Sequence, residues 1–325
     1  MHSTGMTFNI LGNSPVRQCK NKVMAKPFIK WAGGKTQLLE ELESRLPKAV
    51  LENKTIESYI EPFVGGGALF FFLKREYTVK KAYLCDINRE VIIGYKVIQN
   101  NPIELINQLE TLQNEYINRS KDGRKDYFYM IREKYNSQVQ RFNFEKYNED
   151  WVKRASYLIF LNKTCFNGLF RQNKNGQFNV PHGRYKNPNI CDRENIMEAN
   201  KALENTIVFC GDFMETEDFI QENSLVYFDP PYRPLNATSS FTGYFKEGFD
   251  DNDQQRLATF YKSMDTKGAY LILSNSDPRN HNECDDFFDR LYEGFNIERV
   301  KANRHINCDG NKRGQINELI IRNYW

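Results

Sequence analysis

Asp229, Pro230, Pro231 and Tyr232 are four consecutive residues whose types suit a flat substrate that carries an amino group. They follow the apolar run 224–228, which predicts a buried strand whose aspartate emerges at the carboxyl edge of a sheet. The two prolines remove N–H donors and leave neighbouring carbonyls as acceptors. A carboxylate and a carbonyl can then accept two N–H protons while the tyrosine ring stacks on the substrate. A proline-rich turn that closes a strand is the alternative interpretation.

A glycine turn with Gly65 and Gly67 lies between a predicted strand and a predicted helix, and Asp86 ends the next strand. In dinucleotide folds such glycines let a ligand approach the backbone, and such an acid hydrogen-bonds ribose hydroxyls. Phe70 stands where the third glycine of the dinucleotide fingerprint belongs. The pattern therefore favours a nucleoside-containing cofactor without a pyrophosphate, such as S-adenosylmethionine, and a simple tight turn is the alternative.

Two other segments bear on nucleotide binding. Asp212 and Phe213 follow the strand-like run 207–210 and combine a carboxylate for an exocyclic amine with a ring for stacking; a plain strand-end turn is the alternative. Residues 31–36 contain a Gly-Gly-Lys-Thr run, but Ile29 occupies the position of the first glycine that a P-loop requires. The spacing therefore excludes P-loop hydrolysis of a nucleoside triphosphate.

The elements that must position these residues alternate between strand and helix. Strands at 58–61 and 81–85 enclose a helix at 68–75, and Asn88 is a candidate N-cap for a helix through about residue 99. This alternation is typical of a parallel, doubly wound sheet. Leucines at helical spacing predict a further helix over residues 36–46. Strand-like runs resume at 207–210, 225–228, 270–274 and 295–300, with a final pair around Arg304 and 319–322.

The region between the two groups of strands has a different character. Residues 102–161 have a helical pattern, and residues 162–189 are rich in Gly, Asn and Pro. There, Asn175-Gly176 is a hairpin signal between runs 169–172 and 177–180. We therefore predict a sheet domain formed by residues 24–100 and 195–325 and split by a substrate module at 101–194. Residues 1–23 are predicted to be a disordered extension.

Composition and charge restrict the class of protein. The 325 residues are 40% hydrophobic and 27% charged, which is ordinary for a soluble globular chain, and no apolar run reaches the length of a membrane span. The seven scattered cysteines and four histidines show neither a disulfide framework nor metal-ligand spacing, which predicts a cytoplasmic protein without a metal site. Residues 151–193 hold eight basic residues and one acid. This predicts a polyanion partner, with a solvated basic face as the alternative.

Together these segments resemble the Dam-type DNA adenine-N6 methyltransferases of the alpha arrangement, a GATC-recognising family. The likeness spans about residues 26–324 and implies a doubly wound, mostly parallel, Rossmann-like α/β methyltransferase sheet with an inserted helical and β-hairpin target-recognition domain. The motifs that carry it occur in the family's order at residues 28–35, 61–67, 86–88, 167–169, 178–181, 183–185 and 229–232.

The resemblance also implies a set of site residues. S-adenosylmethionine would contact Trp31, Lys35, Phe63, Gly65, Gly67, Asp86, Asp212, Phe213 and Asp229. Catalysis would rest on Asp229, Pro230 and Tyr232. Double-stranded DNA would contact Lys30, Phe166, Asn167, Leu169, Arg171, Pro181 and Arg184.

Several of the implied DNA contacts have a chemical basis. The guanidinium of Arg171 suits guanine, whereas Leu169 and Pro181 suit the methyl group of thymine. Phe166 replaces a residue that is more often Tyr in the family, so the ring is kept and the hydroxyl is lost. The loop 233–249 is interpreted either as a flap that orders on DNA or as a plain surface loop. Arg304 and the turn 311–314 are interpreted as phosphate contacts or as a solvated hairpin.

The expected function is methyl transfer from S-adenosylmethionine to N6 of adenine, within GATC in double-stranded DNA, by base flipping. A methyltransferase acting on cytosine N4 or on RNA is one alternative, and a non-catalytic DNA-binding subunit is another. A dehydrogenase is excluded, because the third glycine and a hydride-transfer constellation are missing. The pattern is compatible both with a restriction-modification methyltransferase and with one that works alone.

Overall fold

The computed structural model describes residues 23–31, 33, 35, 37–233, 249–303 and 315–325, and a seven-stranded sheet forms its centre. The strands are β1 (Thr55–Glu61), β2 (Thr78–Asp86), β3 (Thr206–Cys210), β4 (Leu225–Phe228), β5 (Tyr270–Ser276), β6 (Asn296–Asn303) and β7 (Gln315–Arg322). Their spatial order is β3-β2-β1-β4-β5-β7-β6; the first five are parallel, and β7 runs antiparallel to both β5 and β6. The predicted α/β class with a mostly parallel sheet is confirmed.

Helices cover both faces of this sheet. They are α1 (Leu39–Glu43), α2 (Lys48–Asn53), α3 (Ala68–Glu76), α4 (Arg89–Asn100), α5 (Pro102–Ile117), α6 (Lys121–Gln138), α7 (Asp150–Thr164), α8 (Arg193–Ala202), α9 (Asp251–Thr266) and α10 (Phe287–Leu291). Along β4, Leu225 and Tyr227 enter the core that contains α3, α4 and α8, whereas Val226 and Phe228 enter the core of α9 and α10. Burial on both faces explains why this strand is an uninterrupted apolar run.

The sheet topology brings the predicted site segments to one edge. Because β1 to β5 are parallel, the residues that follow β1, β2, β3 and β4 all lie at the carboxyl edge. The strand order reverses between β1 and β4, and open α/β sheets bind ligands in the crevice beside such a reversal. Gly65 and Asp229 therefore lie on opposite sides of that crevice.

Helices α5, α6 and α7, which lie in the predicted substrate module, share one continuous core with the sheet and with α4. Almost every residue of α7 is buried, including Arg154, whose side chain is fully covered. Its Nε donates to Glu90 Oε2 at 2.8 Å, so a buried ion pair joins α7 to the first turn of α4. Helix α7 is thus attached next to Asn88, whose side chain caps α4 as predicted.

Several local predictions needed correction. The predicted helix 36–46 is only the five-residue α1, because Pro47 starts the separate helix α2. The predicted hairpin has its turn, but its arms meet in a single bridge between Gln172 and Phe178. Strand β6 continues to Asn303 and pairs with β7. The predicted extension (except Val23), the interior of the flap 233–249, Arg304 and the turn 311–314 lie outside the described residues. None of the described helices is long and apolar enough to cross a membrane.

Candidate active site

Asp229 directly follows β4, and one of its two carboxylate oxygens accepts two hydrogen bonds. Its Oδ1 receives Lys35 Nζ at 2.8 Å and Ser274 Oγ at 3.2 Å, and the Ser274 hydroxyl also contacts the Tyr227 hydroxyl at 2.8 Å. No described residue donates to Oδ2. Burial raises the pKa of Asp229, while the ammonium of Lys35 opposes that rise. The side chain keeps 20% of its exposure, so the ion pair with Lys35 leaves this carboxylate accessible.

Lys35, Tyr232 and Glu318 form a polar network around this carboxylate. The Lys35 ammonium is buried and donates to the Tyr232 hydroxyl, which in turn donates to Glu318 Oε2. The same ammonium lies 3.8 Å from Glu318 Oε2 and 4.1 Å from the centre of the Tyr232 ring. Glu318 comes from the antiparallel strand β7, 89 residues after Asp229 along the chain. One ammonium is therefore shared by two carboxylates.

A second set of hydrogen bonds holds the segment Asp229–Tyr232, here called the proline corner, in place. Gln254, fully buried on α9, donates from Nε2 to the Pro231 carbonyl at 3.2 Å. Its Oε1 accepts from Asn275 Nδ2 at 3.3 Å, which orients the Gln254 amide. No described residue donates to the Pro230 carbonyl. The corner is therefore fixed through the second proline, and the carbonyl of the first has no described partner.

The glycine turn after β1 has a left-handed backbone at two positions. Gly65 and Gly67 have φ values of 46° and 67°. A Cβ on Gly65 would lie 2.6 Å from the Trp31 ring, and one on Gly67 would lie 2.3 Å from the Tyr95 hydroxyl. The glycines therefore allow the close approach of two protein side chains in addition to the tight turn. Trp31 covers the turn and stacks on Phe170 with ring centres 5.2 Å apart.

Asp86 connects this turn to the start of α4. One carboxylate oxygen accepts from the Gly65 N–H and the other from the Asn88 N–H, each at 2.8 Å. Burial raises the pKa of Asp86 to about 6, although these two hydrogen bonds oppose the rise. Nearby, Glu61 accepts from the Tyr59 hydroxyl at 2.8 Å, and burial raises its pKa well above the ordinary value.

The two residues of the predicted adenine pocket, Asp212 and Phe213, differ in their exposure. Asp212 is partly exposed, caps the turn at Met214 and accepts from Arg256 Nη2 at 3.2 Å. Phe213 is only 2% exposed, because its ring packs against Phe63 and other aromatic residues of the α9 core. Phe63 is partly buried and lies between this core and the carboxyl edge. The carboxylate of Asp212 is thus more accessible than the predicted stacking ring.

The proposed DNA contacts gather around the end of α7. Asn162 is 1% exposed and accepts from the Lys30 N–H at 2.8 Å. It also donates to the carbonyls of Lys30 and Gly168, at 2.9 and 3.0 Å. One amide therefore fixes Lys30 next to the turn Phe166–Gly168, where Asn167 has a φ of 58°.

The remaining predicted DNA contacts differ in exposure. Phe166 is 53% exposed, and its N–H donates to the Pro181 carbonyl at 2.8 Å. Arg171 is exposed and donates from Nε to Asn179 at 2.8 Å, while Leu169 packs partly into the main core. Pro181 and Arg184 are exposed, so the region presents both apolar and basic groups. His182, in contrast, contacts the buried Tyr116 hydroxyl at 2.7 Å.

Sequence reasoning missed three residues that support the site: Asn162, Gln254 and Glu318. Glu318 directly precedes the apolar residues of β7, so an acid next to a buried strand was its available signal. Asn162 and Gln254 lie on helices, where nothing in the local pattern distinguishes them from surface amides. Among the described residues, no group of three or more His, Cys, Asp or Glu side chains could hold a metal ion.

Comparison with known families decides the class of enzyme. Residues 31–306 match the model of the D12 class N6 adenine-specific DNA methyltransferases. The chain belongs to this family. The predicted function as an adenine-specific DNA methyltransferase is therefore confirmed. The matched residues include both the glycine turn and the proline corner.

Named relatives extend over nearly the whole chain. The chain is 50% identical over 300 residues to the type II methyltransferase M.MjaIII of Methanocaldococcus jannaschii, covering 92% of this chain and 99% of that protein. It is 38% identical to the type II methyltransferase M1.LlaDCHI of Lactococcus lactis, covering 94% and 98%. It is 33% identical to a DNA adenine methylase of Vibrio cholerae, covering 91% and 95%.

Proposed function

We propose that this methyltransferase transfers the methyl group of S-adenosylmethionine to N6 of an adenine within GATC in double-stranded DNA, after flipping the base out of the helix. The observation that carries this proposal is Asp229 Oδ2. It has no described donor and lies at the strand-order reversal, across the crevice from the Gly65 turn. A partly exposed acceptor at this position is suited to an exocyclic amine.

The residues at the carboxyl edge fit S-adenosylmethionine. When bound, this cofactor supplies a methyl group on a positively charged sulfur. The two carboxylates of Asp229 and Glu318 exceed the single ammonium of Lys35 by one negative charge, which suits that cation. We assign Trp31, Gly65 and the other predicted cofactor residues to this pocket; Asp86 keeps lone pairs for ribose hydroxyls beyond its two backbone bonds.

The proposed role of Asp229 is to prepare the target amine for attack. The lone pair of adenine N6 is delocalised into the ring, so the free amine is a poor nucleophile. Asp229 Oδ2 and the Pro230 carbonyl would accept the two N–H protons and draw the nitrogen toward tetrahedral geometry. Tyr232 would stack on the flipped base. Because Gln254 holds the corner, positioning of the amine provides most of the rate enhancement.

We assign DNA recognition to the module 101–194 and catalysis to residues 24–100 and 195–325. The exposed Phe166 would enter the duplex near the displaced base, and Arg171 and Lys30 would contact guanines. The similarity to two type II methyltransferases supports a role in restriction-modification. Free thiols at Cys85, Cys165, Cys191, Cys210 and Cys284 support a cytoplasmic location.

Methyl-labelled S-adenosylmethionine tests the proposal directly. The enzyme is incubated with a duplex that contains GATC, with a matched duplex that contains GTAC, and with the single strand alone. Each DNA is then digested to nucleosides and separated by HPLC. We expect labelled N6-methyladenine from the GATC duplex only. Equal label in the GTAC duplex would refute the GATC assignment, and efficient labelling of the single strand would refute the need for a duplex. Plasmid challenge with nucleases of different sensitivity to GATC methylation provides an independent check.

A further inference from the structure

Glu318 adds a second carboxylate to the ion pair of Lys35 and Asp229. Lys35 alone would neutralise Asp229, its partner at 2.8 Å. Glu318 lies 3.8 Å from the same ammonium, is 9% exposed and accepts from the Tyr232 hydroxyl. Within the described residues, the Glu318 carboxylate contacts the Lys35 ammonium and the Tyr232 hydroxyl, and no second cation compensates its charge. The cluster of Lys35, Asp229 and Glu318 therefore carries a net charge of −1.

We propose that Glu318 makes the pocket selective for a positively charged sulfonium over the neutral thioether of the same shape. This inference rests on the proposed function. When the methyl group moves from sulfur to nitrogen, the S–C bond electrons stay on sulfur, which becomes neutral. The methylated nitrogen then loses its positive charge by giving one proton to Asp229 Oδ2, its proposed acceptor, from which the proton passes to solvent. The charge that attracts the cofactor is thus lost in the same step that forms the product. A pocket with one excess negative charge binds the cofactor better than the product and favours release of the latter.

The surrounding groups support assigning this role to Glu318. Glu61 accepts from the Tyr59 hydroxyl at 2.8 Å and has no cationic partner among the described residues, and burial raises its pKa well above the ordinary value. Asp86 lies two strands from β4, with both oxygens bonded to backbone N–H groups. Asp229 is matched by the close ammonium of Lys35. Glu318 is consequently the carboxylate whose removal would bring the cluster at the proline corner to neutrality.

Binding measurements without DNA test this role separately from catalysis. The affinities for S-adenosylmethionine and S-adenosylhomocysteine are measured by isothermal titration calorimetry for the wild-type enzyme and for Glu318→Gln. The amide keeps the shape and an acceptor for Tyr232 while removing the charge. We expect affinity for the sulfonium to fall about tenfold, with that for the thioether changing less than about twofold.

The matched control is Glu57→Gln, which removes an exposed carboxylate near the amino end of β1, away from the carboxyl edge. It should leave both affinities unchanged. Glu318→Asp should keep the sulfonium preference even if both affinities fall. Lys35→Gln should increase the preference, because it leaves two carboxylates without their ammonium. The preference is the ratio of the two affinities measured on one protein preparation. Partial misfolding of a variant lowers the amount of active protein for both ligands equally, so it does not change this ratio.

Each result separates this inference from the proposed function. If Glu318→Gln lowered the affinities for both ligands equally, or left both unchanged, the ratio of the affinities would stay the same. Glu318 would then have no role in the preference for the sulfonium, and the inference would be overturned. A wild-type enzyme that binds neither ligand would instead overturn the proposed cofactor. A ratio that falls in Glu318→Gln and rises in Lys35→Gln would establish the inference.

Discussion

Replacement of Asn162 by alanine should weaken DNA binding directly, in addition to destabilising the fold. Its amide pairs with both the N–H and the carbonyl of Lys30 and also with the Gly168 carbonyl, at 2.8 to 3.0 Å. Asn195 pairs in the same way with Lys26, at 2.9 and 3.0 Å, four residues earlier on the same segment. Among the described residues, Asn195 makes no hydrogen bond to the turn Phe166–Gly168, so Asn195→Ala is the matched control.

The structure sets the expected magnitudes. A typical hydrogen bond contributes about 1 kcal/mol net, and a buried group left unpaired costs about 1–3 kcal/mol. Asn162→Ala removes three bonds, so we expect a loss of about 3–4 kcal/mol in the free energy of unfolding. Asn195→Ala removes two and should cost about 2 kcal/mol. Only the first change releases Lys30 from the Phe166–Gly168 turn, so we expect affinity for DNA to fall about tenfold for Asn162→Ala and less than about twofold for the control.

Two assays separate folding from recognition. Urea unfolding gives the free energies, and fluorescence anisotropy of a labelled GATC duplex gives the dissociation constants at one fixed salt concentration. The reasoning would be refuted if Asn162→Ala left the DNA affinity unchanged while destabilising the fold as expected. Equal losses of affinity in both variants would also refute it, because the effect would then come from the whole segment.

Three further predictions concern stability. Gly67→Ala forces a Cβ to within 2.3 Å of the Tyr95 hydroxyl at a φ of 67°, so it should cost more than about 2 kcal/mol in urea unfolding, and the double variant with Tyr95→Phe should recover part of that loss. The raised pKa of Asp86 means that its protonation stabilises the native state; this contribution is complete below about pH 4 and is lost as the pH rises through about 6. As the pH rises from about 4 to about 6, the free energy of unfolding of Asp86→Asn should therefore increase by up to about 3 kcal/mol relative to that of the wild type. A difference between the two proteins that does not change with pH would contradict the assignment. Arg154→Met strands the buried charge of Glu90 and should cost about 3–5 kcal/mol, whereas the double variant with Glu90→Gln should be more stable than the single one.

The sequence was most informative where local pattern and burial agree. Strand β4 has the predicted bounds, because residues 225–228 are buried on both faces and two prolines follow one residue later. The glycine turn and the Asn88 cap were predictable for the same reason, since each depends on the chemistry of a few adjacent residues. The carboxyl-edge placement of Asp86 and Asp229 followed from the prediction that both residues end strands of one parallel sheet.

The remaining features depend on contacts between distant segments. The hairpin arms are short because Asn136 on α6 bonds both the N–H and the carbonyl of Phe178 and takes the place of a strand partner. Glu318 reaches Lys35 only because β7 pairs with β5 in one particular register, which aligns Glu318 with Ser276. No pattern within a short window specifies such a register, so these contacts had to be observed.

The most direct measurement of the central claim is methyl transfer by Asp229→Asn. This change removes the charged acceptor at the end of β4 and preserves the shape of the side chain. We predict that labelled N6-methyladenine in the GATC duplex falls to background while binding of S-adenosylmethionine remains measurable by calorimetry. Methylation at a rate near that of the wild-type enzyme would contradict it.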